Sequence, residues 1–280
     1  AVERSGNGRR DDDDFESQRS GQGGDLVRGQ AVGSETVSAA TCSLTDGLAV
    51  YLPFEGKVPA NAAPGDIAPE PFGNASVVGK GGFVGGCLRV SVATNAPSGL
   101  RLKGSENLKF GDGAKFSFTM WVRMPEAQKG DPVIVANKEW HNGSNPGILV
   151  TGNKKIQSKV GGVCFNAGMG GPRSRIDIGP YDIEFGKWTF YAVTRGPDGV
   201  LGYYQGGRDG YLYRIAFDAK DIKFKTGLPF FLGQDGTGKY PAAFNGDIDD
   251  FALWTRSLSY EDVRKIYEAG RNGIPLGDLL

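Results

Sequence analysis

The chain has 280 residues and a formal net charge of +0, so its overall charge favours neither nucleic acid nor an anionic membrane surface as a partner. Glycine (45) and proline (15) are frequent, which is typical of many strands joined by tight turns. The hydrophobic fraction of 39% is enough for one core, and no apolar run is as long as a membrane span.

Residues 1–40 differ in composition from the rest of the chain. Gly, Ser, Arg, Asp, Gln and Asn dominate, and too few large apolar side chains are present to offset the entropy of ordering. We predict a polar tail that is disordered alone or held by a partner, with residues 41–280 as the folded domain. The run Asp11-Asp12-Asp13-Asp14 lacks the spacing of a calcium loop and is typical of solvated charge.

The three cysteines, Cys42, Cys87 and Cys164, match no zinc or redox spacing. One interpretation is that all three are small buried hydrophobic residues. The other is a Cys42–Cys87 disulfide that ties the start of the domain to an early strand. Cys164 lies between Val163 and Phe165 and has the surroundings of a core strand position.

Alternating apolar residues predict about a dozen strands after Cys42. A Pro- and Ala-rich segment, residues 58–71, interrupts them and is predicted as a loop. The predicted strands lie at residues 48–56, 82–90, 100–102, 116–123, 133–138, 148–150, 162–168, 175–178, 188–195, 199–207, 230–235 and 244–254.

The closing strand leads into one short helix. Ser259 stands three residues before Asp262, a variant of the capping box. Val263, Ile266 and Tyr267 follow at helical spacing, and Gly270 is predicted to end the helix in the left-handed conformation.

This closing stretch resembles the last segment of laminin-G-like, concanavalin A-like jelly-roll domains. The positions that match the signature of that family are Gly246, Ile248, Asp249, Asp250, Phe251, Leu253, Trp254, Arg256, Leu258 and Ser259. Similar matches occur in the strands around Tyr51, Trp121 and Trp188, with Trp121 expected in the core. The resemblance covers residues 46–270 and implies an all-β, two-sheet jelly-roll sandwich with one short C-terminal helix.

One detail departs from the family pattern. Gln205 and Gly206 stand where the family has an Asp-Gly turn, which predicts a modified hairpin. The family includes lectins, hydrolases, lyases and spacers, so the resemblance implies a fold more firmly than a function.

Catalytic motifs of related enzymes are missing from the sequence. The Glu-x-Asp-x-x-Glu spacing of the sandwich hydrolases does not occur, and neither a nucleophile elbow nor a phosphate loop is present. The single histidine, His141, matches no lyase motif. An enzyme that uses His141 or an Asp cluster is therefore the weaker hypothesis.

The first candidate site is the loop at residues 137–147. It places an aromatic residue among amides and charges, the mixture that binds the C–H faces and hydroxyls of sugars. Alternatively, the Trp covers the edge of the core and the Asn residues cap turns. The candidate ligand-binding residues of this loop are Lys138, Trp140, His141, Asn142 and Asn145.

A second candidate cluster flanks the Gly-rich turn at residues 168–171. Its members are Asn166, Arg173, Arg175 and Asp177. The arginines would suit a carboxylated or sulfated sugar, because a guanidinium pairs with such groups through two parallel hydrogen bonds. Solvated turn charges are the alternative.

The third candidate is a calcium site. Calcium takes oxygen ligands, and related sandwiches often carry the ion near their rim. For Asp249 the alternative is a buried carboxylate that accepts hydrogen bonds from backbone amides of a neighbouring turn. The candidate ligands are Asp235, Asp247, Asp249 and Asp250.

Together these features favour a non-catalytic sandwich, secreted or at the cell surface, that binds carbohydrate or an extracellular glycoconjugate. The chain begins Ala1-Val2-Glu3, as a mature secreted protein or a trimmed chain does. The alternative is a structural or adhesive subunit whose tail lies across a neighbouring copy, which makes a homo-oligomer.

Overall fold

The computed structural model describes residues 42–91, 96–108, 110, 113–126, 128–152, 163–168, 175–179, 183–207 and 210–280. The predictions for the tail, for Arg173 and for residues 169–171 lie outside the described residues. The division of the chain near residue 40 therefore stays a prediction.

The described residues form fifteen strands and one α-helix. In chain order they are β1 (Leu48–Leu52), β2 (Ala68–Phe72), β3 (Ala75–Val78), β4 (Cys87–Val90), β5 (Gly99–Lys103), β6 (Phe116–Arg123), β7 (Val133–Ala136), β8 (Gly147–Thr151), β9 (Cys164–Gly168), β10 (Arg175–Ile178), β11 (Trp188–Arg195), β12 (Val200–Gly206), β13 (Leu212–Asp218), β14 (Phe230–Leu232), β15 (Gly246–Trp254) and α1 (Tyr260–Arg271). Short 3-10 turns occur at Ser105–Asn107 and Leu276–Leu279.

The strands make two antiparallel sheets. Sheet A has eight strands in the order β13-β12-β11-β6-β15-β4-β3, with β1 paired to one end of β15. Sheet B has seven, in the order β10-β9-β8-β7-β14-β5-β2. The inner faces supply one core, to which sheet A gives Phe118, Val122 and Ile248 and sheet B gives Ile134 and Phe165. The prediction of an all-β, two-sheet sandwich with one C-terminal helix is confirmed.

Helix α1 covers part of the outer face of sheet A. Its Ser259–Asp262 capping box is present in both directions, as predicted. Trp121 is almost fully buried and its ring stacks on Tyr267 at 5.8 Å between centroids, which confirms the prediction that it belongs to a core. Val263 and Ile266 complete this second apolar cluster.

The predicted role of Gly270 is wrong. It lies inside α1, and Gly273, with φ of 74°, is the glycine that takes the left-handed conformation after the helix. The N–H of Gly273 donates to the carbonyl of Gly270, which extends the last turn. Gly270 instead allows the helix to approach Trp121, since an added Cβ would lie 2.9 Å from Trp121 Nε1.

Replacing Gly270 with Ala is therefore expected to destabilise the domain. Ala is about 1 kcal/mol more favourable than Gly inside a helix, but the added methyl group collides with the buried Trp121 ring. We expect a net loss of about 1–2 kcal/mol in unfolding free energy, measured by urea denaturation. Glu268→Ala on the exposed side of α1 is the control, and a more stable Gly270→Ala variant would contradict this packing.

Three strands lie outside the predicted ranges, namely β2, β3 and β13. Part of the predicted loop at residues 58–71 is β2, whose Pro69 and Pro71 are tolerated because β2 is the edge strand of sheet B. Gln205 and Gly206, where the family has an Asp-Gly turn, lie in β12 and pair with β13, which fits the predicted change in this hairpin. The strands on either side of the Gly-rich turn, β9 and β10, pair with each other in sheet B.

The cysteines are separate thiols. Cys87 and Cys164 are buried, as the first interpretation expected, whereas Cys42 is exposed. The structure does not contain the alternative Cys42–Cys87 disulfide. No helix in the described part of the chain is both long and apolar enough to cross a membrane.

Candidate functional site

The loop that joins β7 to β8 folds back over the outer face of sheet B. Asn137 fixes its base, because the N–H of Ile148 donates to Asn137 Oδ1 at 2.9 Å. At the other end, Gly147 packs so closely on Thr226 and Lys138 that a Cβ there would lie within 2.7 Å of both. The loop is therefore held at both ends where it leaves the sheet.

Trp140 lies along the outer face of β7 and is held at two points. Its backbone N–H donates to Asp235 Oδ2 at 3.1 Å, and its indole Nε1–H donates to the carbonyl of Asp131 at 3.2 Å. The ring packs on a small apolar cluster of Val133, Ala136 and Leu149 while remaining partly exposed. Trp140 thus covers apolar surface, as the alternative interpretation expects, while its contact with a ligand stays a prediction.

A second loop, residues 233–240, lies against the first. The N–H of Gly236 donates to the Lys138 carbonyl at 2.8 Å, and the His141 and Tyr240 rings meet edge to face at 5.5 Å. Burial raises the pKa of the Tyr240 hydroxyl, and the nearby carboxylates Asp131 and Asp235 raise it further. We call the solvent-facing parts of these loops the Trp140 surface; its members are Glu139, Trp140, His141, Asn142, Asn145, Lys239 and Tyr240.

The amides of the Trp140 surface have different surroundings. Asn142 is exposed and its Oδ1 accepts the Ser144 N–H at 2.9 Å, which makes a tight turn. Asn145 reaches the Glu139 carbonyl at 3.4 Å. His141 is also exposed, with Nδ1 at 3.8 Å from the Glu139 carboxylate. The loop thus displays donors and acceptors beside an aromatic ring.

Lys138 is a support beneath this surface. It is fully buried, and its ammonium group donates to the Gly143 carbonyl at 2.9 Å and to Asn166 Oδ1 at 2.7 Å. Asn166 Nδ2 in turn donates to Asp177 Oδ1 at 3.0 Å. Leu149, Asn166 and Asp177 are directly opposed on β8, β9 and β10, so the sheet register brings the first and second candidate clusters together. Arg175 lies in β10.

Lys138→Met tests this support. The change keeps the length of the side chain but leaves Asn166 Oδ1 and the Gly143 carbonyl without their buried donor. We expect a loss of about 2 kcal/mol in unfolding free energy, together with faster proton exchange at the amides of residues 139–145. Lys223→Met, an exposed change, is the control. Unchanged stability and exchange would show that Lys138 does not hold the loop.

The aspartates of β15 each have hydrogen-bond donors. Asp249 Oδ2 accepts the N–H groups of Phe83 and Val84 at 2.8 and 3.0 Å, and its Oδ1 accepts the N–H of Asp250 at 2.7 Å. The alternative of a buried carboxylate bound to a neighbouring turn is therefore confirmed. Burial raises the pKa of Asp249 to about 8, although these N–H groups act in the opposite direction.

Asp250 anchors the C-terminal end of the chain. Its carboxylate accepts from the Tyr51 hydroxyl at 2.8 Å and from the Leu276 N–H at 3.0 Å. The residue has φ of 50°, in the left-handed region, and the ladder between β15 and β6 shifts register after Asp249. Because of this bulge, two consecutive aspartates both face the outer side of sheet A.

Asp247 and Asp235 lie in different surroundings. Asp247 forms ion pairs with Arg89 at 2.7 Å and with Arg123 at 2.6 Å. Asp235 accepts from Trp140 and Thr237 within the loops of sheet B. Among the described residues, no group of three or more His, Cys, Asp or Glu side chains could hold a metal ion. The structure does not bring the four predicted ligands together, and calcium binding stays a prediction.

Sequence patterns missed part of this site. Tyr240, Lys239 and Asp131 join Trp140 only because β7 and β14 are neighbours in sheet B. Little in the sequence indicates that these residues belong to the site. The one indication is that Asp235 and Gly236 begin a turn, which must fold over the sheet. Conversely, Asp235 is a predicted metal ligand, but in the structure it positions the backbone of Trp140.

The fold and site define a two-sheet antiparallel sandwich with loops over the outer face of one sheet. A laminin-G family model, described as the concanavalin A-like lectin/glucanases superfamily, matches residues 98–264. The match covers more than half of the chain, and the chain belongs to this superfamily. No curated protein sequence matches it.

Several solved structures share the fold. The binding domain of Paraclostridial Mosquitocidal Protein 1 has a TM-score of 0.59 and 16% identity over 81% of this chain and 53% of that chain. The binding domain of Botulinum neurotoxin DC, in complex with rat synaptotagmin II, has a TM-score of 0.60 and 16% identity over 81% and 52%. This chain thus spans about half the length of these toxin domains.

A third similar structure is of comparable size. It is domain 4 of AbnA, a GH43 extracellular arabinanase from Geobacillus stearothermophilus, in complex with arabinotriose. The TM-score is 0.51, with 15% identity over 79% of this chain and 98% of that chain. At these identities the likeness establishes the fold alone.

Proposed function

We propose that the protein is a non-catalytic carbohydrate-binding module and that the Trp140 surface is its binding site. The observation that carries the proposal is the partly exposed Trp140 ring, fixed at its backbone by Asp235 and at its indole by Asp131. A ring fixed before binding loses little conformational freedom when a ligand packs on it, which favours affinity. Sugars present apolar C–H faces that pack on aromatic rings.

Polar groups around the ring suit sugar hydroxyls. Asn142 uses its oxygen within the loop and its NH2 group makes no bond to the described residues, so the NH2 group is a donor for a ligand. Glu139 and His141 are exposed beside it and add an acceptor and a ring nitrogen. This combination favours a neutral, hydroxyl-rich ligand over a purely apolar one.

The comparisons support a binding role. The AbnA domain was solved with arabinotriose, and two toxin structures are named as binding domains. We extend this to a module that is secreted or at the cell surface and that binds an oligosaccharide or glycoconjugate. Calcium at the rim and oligomer formation through the tail remain secondary proposals.

The test is a screen of plant, bacterial and animal oligosaccharides on the intact chain, run once with calcium and once with chelator. The proposal expects at least one neutral oligosaccharide to bind with saturation. A signal that survives the chelator would exclude calcium from the site. A screen in which no oligosaccharide binds would contradict a carbohydrate module and favour an adhesive role.

A further inference from the structure

A second row of functional side chains lies on the outer face of sheet A. Ser76, Arg89, Asp247, Arg123 and Trp188 are directly opposed on five neighbouring strands, β3, β4, β15, β6 and β11. Their neighbours in each strand point into the core, so these five share the outer face. We call them the Arg89–Trp188 row. It lies on the other sheet from the Trp140 surface.

Charge is unbalanced along this row. The Arg89 and Arg123 guanidinium groups share the single Asp247 carboxylate, through contacts of 2.7 to 3.3 Å and 2.6 to 3.0 Å. The Asp247 side chain is only 8% exposed, whereas that of Arg89 is 46% exposed. The carboxylate is thus less exposed than either arginine, since the Arg123 side chain is 25% exposed, and the row contains one more positive than negative charge.

Arg123 is held in a fixed orientation. It donates to the Gly81 carbonyl at 2.9 Å, and its guanidinium carbon lies 4.7 Å from the centre of the Trp188 ring. Phe83 contacts the same ring edge to face at 6.4 Å. A guanidinium held by a carboxylate, a carbonyl and an aromatic ring is preorganised to receive an anion with little loss of side-chain freedom.

Two exposed lysines flank the row. Lys80 directly precedes Gly81, whose carbonyl accepts a hydrogen bond from Arg123. Lys187 directly precedes Trp188, and the Arg123 guanidinium lies over the Trp188 ring. The flanking turns also contain carboxylates. The Glu55 carboxylate accepts the N–H of Gly86 at 3.1 Å, and the Glu184 carbonyl accepts the N–H of Lys187. The lysines thus add two positive charges beside the row, and Glu55 and Glu184 add two negative charges.

We propose that the Arg89–Trp188 row binds an acidic saccharide, with the carboxylate or sulfate group of the sugar on the outer edges of Arg89 and Arg123. Arg89 and Arg123 each bind Asp247 through Nε and Nη2, so the Nη1 group of each guanidinium is the donor proposed for the oxyanion, and the partly buried Trp188 is the aromatic side chain next to it. The row crosses five strands, whereas an extended peptide added to β3, the edge strand of sheet A, would run along that strand and not across the row. These features favour a saccharide over an acidic peptide.

The experiment measures binding by calorimetry at low salt to four probes. They are an oligogalacturonate, a sulfated oligosaccharide, the neutral oligosaccharide of equal length, and a poly-glutamate peptide. Variants are Arg89→Gln and the double change Lys80→Ala/Lys187→Ala. The control double variant, Lys225→Ala/Lys265→Ala, removes the same charge from exposed positions elsewhere. Inorganic sulfate is added as a competitor.

The proposal expects one or both acidic saccharides to bind, with affinity about tenfold lower in each row variant, unchanged in the control, and falling with salt. Trp140→Ala should retain this binding. The test of the Arg89–Trp188 row and the test of the Trp140 surface can therefore fail independently of each other. Equal binding of the neutral sugar by the Trp140→Ala variant, binding of the peptide alone, full displacement by equimolar sulfate, or row variants that bind like the control would each overturn it.

Discussion

Asp249→Ala is expected to lower the free energy of unfolding by about 3 kcal/mol near pH 5. The variant leaves three N–H groups without an acceptor, the buried one of Asp250 and the partly buried ones of Phe83 and Val84. It also releases the turn whose Phe83 ring stacks on Trp121 at 3.6 Å. Chemical denaturation followed by tryptophan fluorescence measures the loss.

The size of this loss should depend on pH. Burial raises the pKa of Asp249 from its ordinary value of 3.8 to about 8. Between these values the folded protein holds a proton that the unfolded chain releases, so the wild-type protein loses stability as pH rises. The Ala variant has no such group, and the difference between the two proteins should shrink from pH 5 towards pH 8. Asp221→Ala, an exposed change, should stay within about 0.5 kcal/mol at every pH. A small or pH-independent loss for Asp249→Ala would contradict a buried, turn-binding carboxylate.

Trp140→Ala is expected to weaken binding of any oligosaccharide found in the screen by at least 30-fold, or about 2 kcal/mol. The change removes the ring on which the sugar packs, whereas Trp140→Phe keeps an aromatic face and should lose less. Titration calorimetry measures both, with thermal unfolding to verify that each variant is folded below its midpoint.

A matched control is available on the other sheet. Tyr211 is 69% exposed, so Tyr211→Ala removes an accessible aromatic ring far from the Trp140 surface in the fold. The Tyr211→Ala variant should bind the oligosaccharide with the same affinity as the wild-type protein. If Trp140→Ala binds as tightly as Tyr211→Ala, the site is not at Trp140.

The sequence predicted the strands that alternate most strongly. The β6 and β15 patterns, the Trp121 core position and the Ser259–Asp262 capping box are all confirmed. The edge strands β2, β3 and β13 escaped prediction, because β2 contains two prolines and all three strands are partly exposed. None of the three gives the apolar pattern that a buried strand gives.

The sites depend more on pairing than on local pattern. Asp247 carries no sequence sign that Arg89 and Arg123 will neutralise it, because register across three strands brings them together. The burial of Lys138 could not be predicted either, because its ammonium group donates to Asn166, which lies on β9, a strand far along the chain. A run of three aspartates within four residues therefore indicated a metal site, although the fold gives each carboxylate separate donors.

The measurement that tests the account most directly is chemical-shift mapping of the intact, isotope-labelled protein with an oligosaccharide from the screen. The Trp140 indole Nε1–H, which donates to Asp131, reports on the ring itself. The account predicts that this signal and the amides of residues 139–145 and 236–240 shift most and saturate together. An unshifted Trp140 indole, with the largest changes elsewhere on the sandwich, would contradict it.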